Sequence, residues 1–578
     1  MKITHNPETS GQRAGALLLT LVITGIALAT LAGAMAWTAS TARLTHRSNQ
    51  YVRSVAAAEA ATEKVVSQLA QDFLWGGERL VTDNLERYRQ GAPAATDSAY
   101  WTGWEFDDAC GHPGTTFVVP ASGTSHILLN STYAGLKGYA STYTIVSNAR
   151  EKASLQNVVG AVLQEIQLVR IPVFQFIMYS SDDMEISCGQ PFNITGRVHS
   201  NAKLYVEPDN VLTFQSSVTA VSDILFRRHP LDTRGAPAGG VTYQVPKSPH
   251  EPALTLPIGT ANTPTAVRQI IEPPPPGEDP NSPLGRQRYY NQADLILRVR
   301  DTEVRGTSGS FNGFATPIPQ ADLAVLITTT NSFVDTREGK AVRPIDLDVG
   351  ALRSWSATNS SLRPALGSKD LCSVFVMDER TPTPGALGAV RVVNGRYLPP
   401  RGLTVATALP LYVLGHYNQT NTAHLGTSNT TATVPASLAA DAITILSVNW
   451  SDANSTNTVS LRKAAPTTVN AALLAGSVET TAGHYSGGME NFPRFLETWG
   501  AANTFTYNGS LVKMFPSRYA TNVWGKPNVY SPPSRNWAFD LNFNDPAKLP
   551  PLTPGMQKVI CSRWATLAPN QTSAAVGH

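Results

Sequence analysis

The chain has 578 residues, more than one ordinary domain holds, so two or three globular parts are expected. Only 15% of residues are charged, against about 25% in a typical globular protein; Ser, Thr, Asn, Gly and Pro fill the gap, the balance of an exported, loop-rich, β-dominated protein rather than a cytosolic enzyme. A net charge of +3 gives no electrostatic case for nucleic acid, and 42% hydrophobic residues is too many for a disordered chain.

Residues 1–13 are a polar leader with Lys2 and Arg13 against Glu8. From Ala14 to Ala42 no side chain is charged, and a bilayer needs roughly 20 apolar residues. The run continues into a polar stretch rich in Ala, Glu, Gln, Lys and Leu, all good helix formers, with no Pro or Gly before Trp75-Gly76-Gly77. The expectation is one helix over 14–75, on the order of 90 Å long at 1.5 Å per residue, membrane-embedded at its start and soluble at its end. Two fates of the apolar run compete: a cleaved secretory signal with Ala34-Met35-Ala36 as its small-x-small site, and a retained helix. The retained helix is preferred, because the helical pattern passes straight through that site. Arg43, Arg47 and Arg53 on the far flank leave the charge rule for orientation almost silent.

In the soluble half Val52, Val55, Glu59, Thr62, Val66, Leu69 and Phe73 recur at 3-4 spacing and share one helix face. Such a face packs on the chain's own globular part or on neighbouring helices in a fibre. Glu59, in its middle, needs a partner if buried.

The polar leader, then Arg13-Ala14-Gly15-Ala16-Leu17-Leu18-Leu19-Thr20, the apolar run, and Ala57-Ala58-Glu59-Ala60-Ala61 resemble the N-terminus of PilX-type minor pilins of type IV pili and are similar to the GspK pseudopilin of type II secretion. The resemblance implies cleavage by a prepilin peptidase after Gly15, leaving Ala16 as the first residue. Gly11 is the alternative position, and it would leave Arg13 close to the apolar start. Major pilins carry a Glu at the fifth mature position; with cleavage after Gly15 that position is Thr20, and since GspK-like proteins also lack this Glu, the resemblance implies a minor or tip subunit.

Residues 76–171 read as an α+β or loop-rich cap, with strands at Tyr139–Val146 and Val158–Val173. Residues 172–227 hold very short strands separated by Gly, Asn or Asp turns, the pattern of β-solenoid coils, without a strict repeat length. Residues 228–292 are a Pro-rich spacer or loop, with Pro273 to Pro276 forcing polyproline II. Residues 293–578 continue the solenoid-like body. Within it Phe492, Phe495, Leu496 and Trp499 recur at helical spacing, with Asn491 as N-cap and Pro493 in the first turn, so a short capping helix is expected over Glu490–Trp499. Trp450, Trp499 and Trp537 read as core.

The stretch Gly196-Arg197-Val198-His199-Ser200-Asn201, with Asp441, Trp450, Asn470, Glu490, Asn491 and Trp499 in their local motifs, resembles a large family of PilX-like bacterial pilus-assembly proteins. That likeness implies an N-terminally anchored, mainly β, extracellular solenoid-like body and no particular activity.

Catalytic motifs are missing. There is no G-x-S-x-G, no H-E-x-x-H, no phosphate-binding loop and no EF-hand loop. His199 reads more simply as a turn residue bonded to neighbouring coils than as a catalytic base. Ser181, Asp182, Asp183 and Glu185 read as a solvated turn more simply than as a calcium site. Glu490 and Glu497 lie two helical turns apart, a spacing that does not make an acid–base pair. Cys110, Cys188, Cys372 and Cys561 sit far apart and allow three disulfide pairings or none.

The expectation is therefore a non-enzymatic, cofactor-free pilin-like protein, single-pass in the inner membrane, with its body in the periplasm or on the cell surface. Its partners are the membrane, other pilin or pseudopilin subunits and, for an adhesive body, surface glycans. A membrane-tethered carbohydrate-binding or carbohydrate-cleaving solenoid is the alternative.

Overall fold

The computed structural model describes residues 11–121, 123, 125–128, 135–154, 156–312, 317–367, 369–568 and 572–575, so the first ten residues of the leader lie outside it. A single helix, α1 (Gly11–Asp83), opens the chain. Its helical geometry breaks at Gly77 (φ 73, ψ −171), in the Trp75-Gly76-Gly77 stop; that backbone conformation favours glycine. Residues 15–49 of α1 are all exposed, and burial begins at Gln50.

The buried half of α1 lies on a six-stranded antiparallel sheet. The strands beneath the helix are β1 (Lys137–Glu151) and β2 (Val159–Pro172), paired from Tyr139 beside Arg170 to Arg150 beside Val159. Beyond β2 lies β3 (Gly555–Leu567), which returns from the far end of the chain and pairs with it along its length. β1 alternates buried and half-buried residues along much of its length, whereas β2 is buried through Gly160–Gln164, with Ile166 and Leu168 in one apolar cluster and Val169 and Ile171 in another.

After β2 the chain turns to parallel stacking. Each of the first coils lays down three short strands: Phe176–Ser180, Met184–Ile186 and Phe192–Ile194, then Arg197–Ser200, Leu204–Val206 and Leu212–Phe214. Met184 lies beside Leu204, Phe192 beside Leu212 and Val198 beside Val218, so equivalent residues recur about every twenty positions. A third coil adds Val218–Ala220, Ile224–Leu225 and Val241–Tyr243. The rest of the body builds two parallel sheets, one strand to each per turn. One contains Ser373–Asp378, Leu403–Ala406, Ala436–Ala440 and Thr467–Ser477; the other contains Lys340–Asp348, Ala386–Val393, Leu411–Leu414 and Ile443–Leu446. Their central strands are buried throughout, as parallel strands covered on both faces must be.

The two solenoid-like stretches share one sheet. Thr498–Pro516 sets Leu511, Val512 and Lys513 beside Met178, Tyr179 and Ser180, joining the early coils to the late ones in eleven strands. The parallel stacking agrees with the expected coil-like body, but among the described residues the sheets form no closed solenoid.

Two sequence expectations are corrected here. Glu490–Trp499 is not a capping helix: it forms a single turn at Met489–Asn491, a two-residue strand Arg494–Phe495, and the start of the Thr498 strand. Phe492, Phe495, Leu496 and Trp499 are all buried as expected, but a two-residue pairing with Thr444 and Ile445 wins over a short helix that has a proline inside it. The stretch 228–292 is also more than a spacer. Pro273 to Pro276 are half to fully exposed, whereas Arg268, Ile270, Ile271, Arg288 and Tyr289 around them are buried. The Arg288 guanidinium is held by both oxygens of Glu278 (2.5 and 2.6 Å) and the Gln269 carbonyl.

Asp441 ties that stretch to the stack. Its fully buried carboxylate accepts from Arg268 (2.6 Å), from the N–H groups of Arg518 (2.7 Å) and Tyr519 (3.0 Å), and from the Ser517 hydroxyl. Removing one partner of such a buried pair leaves the other charge uncompensated, at about 3–5 kcal/mol. Asp441→Ala is therefore expected to lower stability by about that much, read as a lower urea midpoint of the full chain.

Candidate functional site

The feature with the clearest chemistry is α1 and its seat. A hydroxyl on an otherwise apolar helix can find its partner in the backbone of its own preceding turn. The threonines of the exposed half do so: Thr20 donates to the Ala16 carbonyl (2.9 Å), Thr24 to Thr20 (2.7 Å), Thr30 to Ile26 (3.0 Å) and Thr38 to Ala34 (2.8 Å). The surface of residues 15–42 is then dominated by Leu, Val, Ile, Ala and Gly, with these hydroxyls turned inward. This is the one helix among the described residues long and apolar enough to cross a membrane. Its exposed residues 15–49 span about 50 Å, more than the ~30 Å of a hydrocarbon core.

Contact with the sheet begins within one turn of Gln50. Ser54 donates to the Val158 carbonyl (3.0 Å), and Arg53 reaches Glu151 (2.7 Å). Gly160 makes the closest approach: a Cβ there would lie 2.3 Å from the Val55 nitrogen and 2.5 Å from the Ser54 carbonyl carbon. Above it Ala57, Ala58 and Ala61 pack with Trp104, Phe106 and Val162, and Val65, Val66, Leu69 and Phe73 pack with Tyr143, Ile145, Ile166 and Leu168. Gln164 bridges to Thr62 (3.1 Å) and Glu63 (2.7 Å).

This corrects the expected assembly face. Thr62, Val66, Leu69 and Phe73 are buried on the chain's own sheet. Val55 and Glu59 are half-buried at its margin, and Val52 alone of the seven is exposed. The buried stripe runs instead through Ser54, Ala57, Ala58, Ala61 and Val65, with alanines small enough to let the helix sink onto the strands. The run of alanines is the signal for this face in the sequence, and weight given to the larger residues hides it. Gly15 is exposed with open space around it, and Ala16 and Thr20 are exposed, with nothing packed on them beyond their own helix among the described residues.

The motif residues of the body are packed into the stack. Gly196 has no room for a side chain, since a Cβ would meet Phe539 at 2.7 Å. His199 is fully buried, 2.8 Å from the Thr219 hydroxyl and 3.0 Å from the Asn201 amide oxygen, and it stacks on Tyr179. Burial pulls it down to about 4, so it is neutral at physiological pH. Asn201 donates to Tyr179 (2.8 Å) and to the Leu254 carbonyl (2.7 Å). Asn470 donates to the Asn418 carbonyl (3.0 Å) and accepts from Asn508 (2.7 Å), an amide ladder through three coils. Asn418 adopts a positive φ of 54 to take part, a conformation asparagine tolerates. Trp450 is half-buried and donates to Asp452 (2.8 Å); Trp499 is buried. Asn491 accepts from the Tyr530 hydroxyl (2.8 Å) and from Arg535 (3.0 Å).

The carboxylates do not form one acid–base site. Glu490 accepts the Ser187 N–H (3.2 Å) and the Tyr485 hydroxyl (3.2 Å), whereas Glu497 accepts the N–H and hydroxyl of Ser447 (both 2.7 Å). Burial pushes each up to about 7. Asp182 pairs with Lys513 (2.7 Å), and Glu185 accepts from Thr480 (2.6 Å) and Ser486 (3.1 Å), so the expected solvated turn is partly walled in. Among the described residues no group of His, Cys, Asp and Glu has the arrangement of a metal site, and the four cysteines form no disulfide.

The fold and helix together define a class: a mainly β protein carried on one long N-terminal apolar helix. No protein-family model matches the chain and no curated protein matches it, so its PilX-like and GspK-like resemblances rest on the motifs alone. Among solved structures it is similar to the competence-associated pilin ComZ from Thermus thermophilus, at 10% identity and a TM-score of 0.30, over 90% of this chain and 97% of that one. At that score the likeness carries no argument.

Two outcomes are expected. Gly160→Leu drives a side chain into the backbone of α1 and opens the seat, so protease cleavage between Gln50 and Gly77 speeds up by roughly tenfold or more, as loss of about 1.4 kcal/mol of local stability would give. For Glu490, the folded protein holds its proton more tightly than the unfolded chain, so wild-type stability falls as pH rises from about 4.5 through about 7 and is level above that. Glu490→Gln removes that slope; chemical unfolding at pH 5 and pH 8 should show the gap between variant and wild type changing by about 3 kcal/mol at most, in the direction that favours the variant at pH 8.

Proposed function

We propose that this chain is a pilin-like subunit: a non-enzymatic protein held in the inner membrane by α1, which acts as a minor pilin or pseudopilin in assembling, priming or tipping a type IV pilus or secretion pseudopilus. The observation that carries this reading is the division of α1. Residues 15–42 offer a mainly apolar surface with internally satisfied threonines, and the same helix continues into a half clamped on an antiparallel sheet. A helix that only delivered the body across a membrane would not need to be continuous with the core of the body. The extracellular placement of the body follows from this reading and from its low charge.

The sequence before α1's apolar run supports prepilin cleavage after Gly15, with Thr20 at the fifth mature position. Because Thr20 bonds to its own helix, it offers a neighbouring subunit no carboxylate, which favours a minor or tip role over that of the bulk fibre protein. The surface left for subunit contacts is the exposed half of α1, with Val52 at its lower end.

The deciding measurement is the N-terminus of the mature protein by mass spectrometry. Ala16 is expected, and a Gly15→Leu variant should keep its leader. A start at Met1 or Trp37 overturns pilin-type processing. Deletion of the gene should abolish or strongly reduce piliation or pseudopilus-dependent secretion; unchanged piliation, secretion and surface attachment would sink the assembly role.

A further inference from the structure

Where the early coils meet the late ones, a cavity of about 30 Å³ is lined by Glu185, Arg337, Arg494 and Lys513, with Gly488 and Phe492 among its other walls. Three buried cations facing one small space is an unusual arrangement, because each lost its hydration shell on folding. Two have carboxylate partners. Lys513 pairs with Asp182 (2.7 Å) and donates to the Asp183 carbonyl (3.1 Å). Arg494 pairs with Glu338 and donates to the Ala520 carbonyl (3.0 Å), while its buried Nε has no hydrogen-bond partner among the described residues.

Arg337 differs. It is 5% exposed, yet its guanidinium makes one long hydrogen bond, from Nε to the Asn522 carbonyl (3.4 Å), and touches no carboxylate among the described residues. Asp335 and Glu338 lie beside it in sequence, but Asp335 accepts the N–H groups of Arg337 and Glu338 and the Tyr412 hydroxyl, and Glu338 is taken by Arg494 and Asn522. Burial, with Arg494 nearby, pulls Arg337 down to about 9, even though the charges of Glu338 and Asp335 act the other way. The carboxylates on the cavity wall do not supply one. Glu185 has one oxygen bonded to Thr480 and Ser486 and the other buried without a partner among the described residues, and burial raises its pKa. Asp183 is engaged by the Lys203 N–H (2.9 Å) and lies 3.8 Å from His229.

We infer that this cavity is a binding site for a small monatomic anion, chloride or its halide equivalents, held by Arg337 and the Arg494 Nε–H. Size sets the class. A volume of about 30 Å³ holds one or two water-sized spheres, which admits a halide and excludes phosphate, sulfate and organic acids. The ion neutralises the uncompensated guanidinium at the junction of the two halves of the body, so it acts on the stability of that junction.

The test compares thermal unfolding of the detergent-solubilised full chain in sodium chloride, sodium bromide and sodium gluconate at constant ionic strength. The expected result is a saturable rise of about 2–4 °C in both halides and none in gluconate, whose anion is too large for the cavity. Arg337→Gln should abolish the rise. Equal midpoints in all three salts, or a rise that survives in Arg337→Gln, overturns the site. If that variant does not fold, bromide-soaked crystals of the wild type decide: an anomalous peak within hydrogen-bond distance of Arg337 is expected, and its absence overturns the site.

Discussion

The structure turns on one contact, the laying of α1 across β2 at Gly160. Within a few residues the helix changes its surroundings. From residue 15 to Asn49 every described side chain is exposed, and from Gln50 the same helix packs on a protein face. Only a position without a Cβ lets the backbone of the strand come this close to Ser54 and Val55. The Ser54 hydroxyl then uses the Val158 carbonyl, and the alanines above it continue the close approach. A larger side chain at 160 would lift the helix off the strand at the point where it is about to leave the protein, so the direction in which the apolar half projects is set there.

The body solves a different problem. Parallel coils bury nearly every residue of their strands, so their polar side chains need partners inside the stack. The answers are ladders: Asn418, Asn470 and Asn508 across three coils, Thr404 with Ser437 (2.8 Å), and His199 between Thr219 and Asn201. Residues that look like chemistry in the sequence are therefore the fasteners of the stack. His199, neutral, bonded at both nitrogens and covered by Phe176 and Tyr179, is one of them.

Much of this is legible in the sequence. The long apolar helix, its break at Gly76-Gly77, the strands β1 and β2 and the short-strand coils all follow from local pattern, because each depends on hydrophobic period or on a breaker residue. What stays hidden depends on distant partners. The twenty-residue step of the early coils is hard to see because Met184, Leu204 and Ile224 share only apolar character, and in the late coils loops of varying length remove the period altogether. Glu490–Trp499 carries a helical pattern of apolar residues, yet pairing with Thr444 and Ile445 decides its conformation. The burial of Arg268 and Arg288 in a proline-rich stretch needs Asp441, which lies far along the chain, and Glu278, which composition alone assigns to an exposed loop. The face of α1 reads as amphipathic but rotated, because large residues weigh more than alanines in a hydrophobic pattern while close packing favours the alanines.

The order of the strands bears on assembly. β3 covers β2 from Leu567 beside Ala161 to Gly555 beside Pro172, so the sheet that seats α1 is finished by a strand made after the whole body. Closing contacts of such sequence separation is slow, since the intervening chain must be organised first. Until then β2 presents an open edge, and the seat of α1 lacks its last strand. In the body, Thr498–Pro516 joins the late coils to the early ones by pairing with Phe176–Ser180 just beyond β2. Completion of the body therefore brings β3 back to the edge of the sheet that seats the helix.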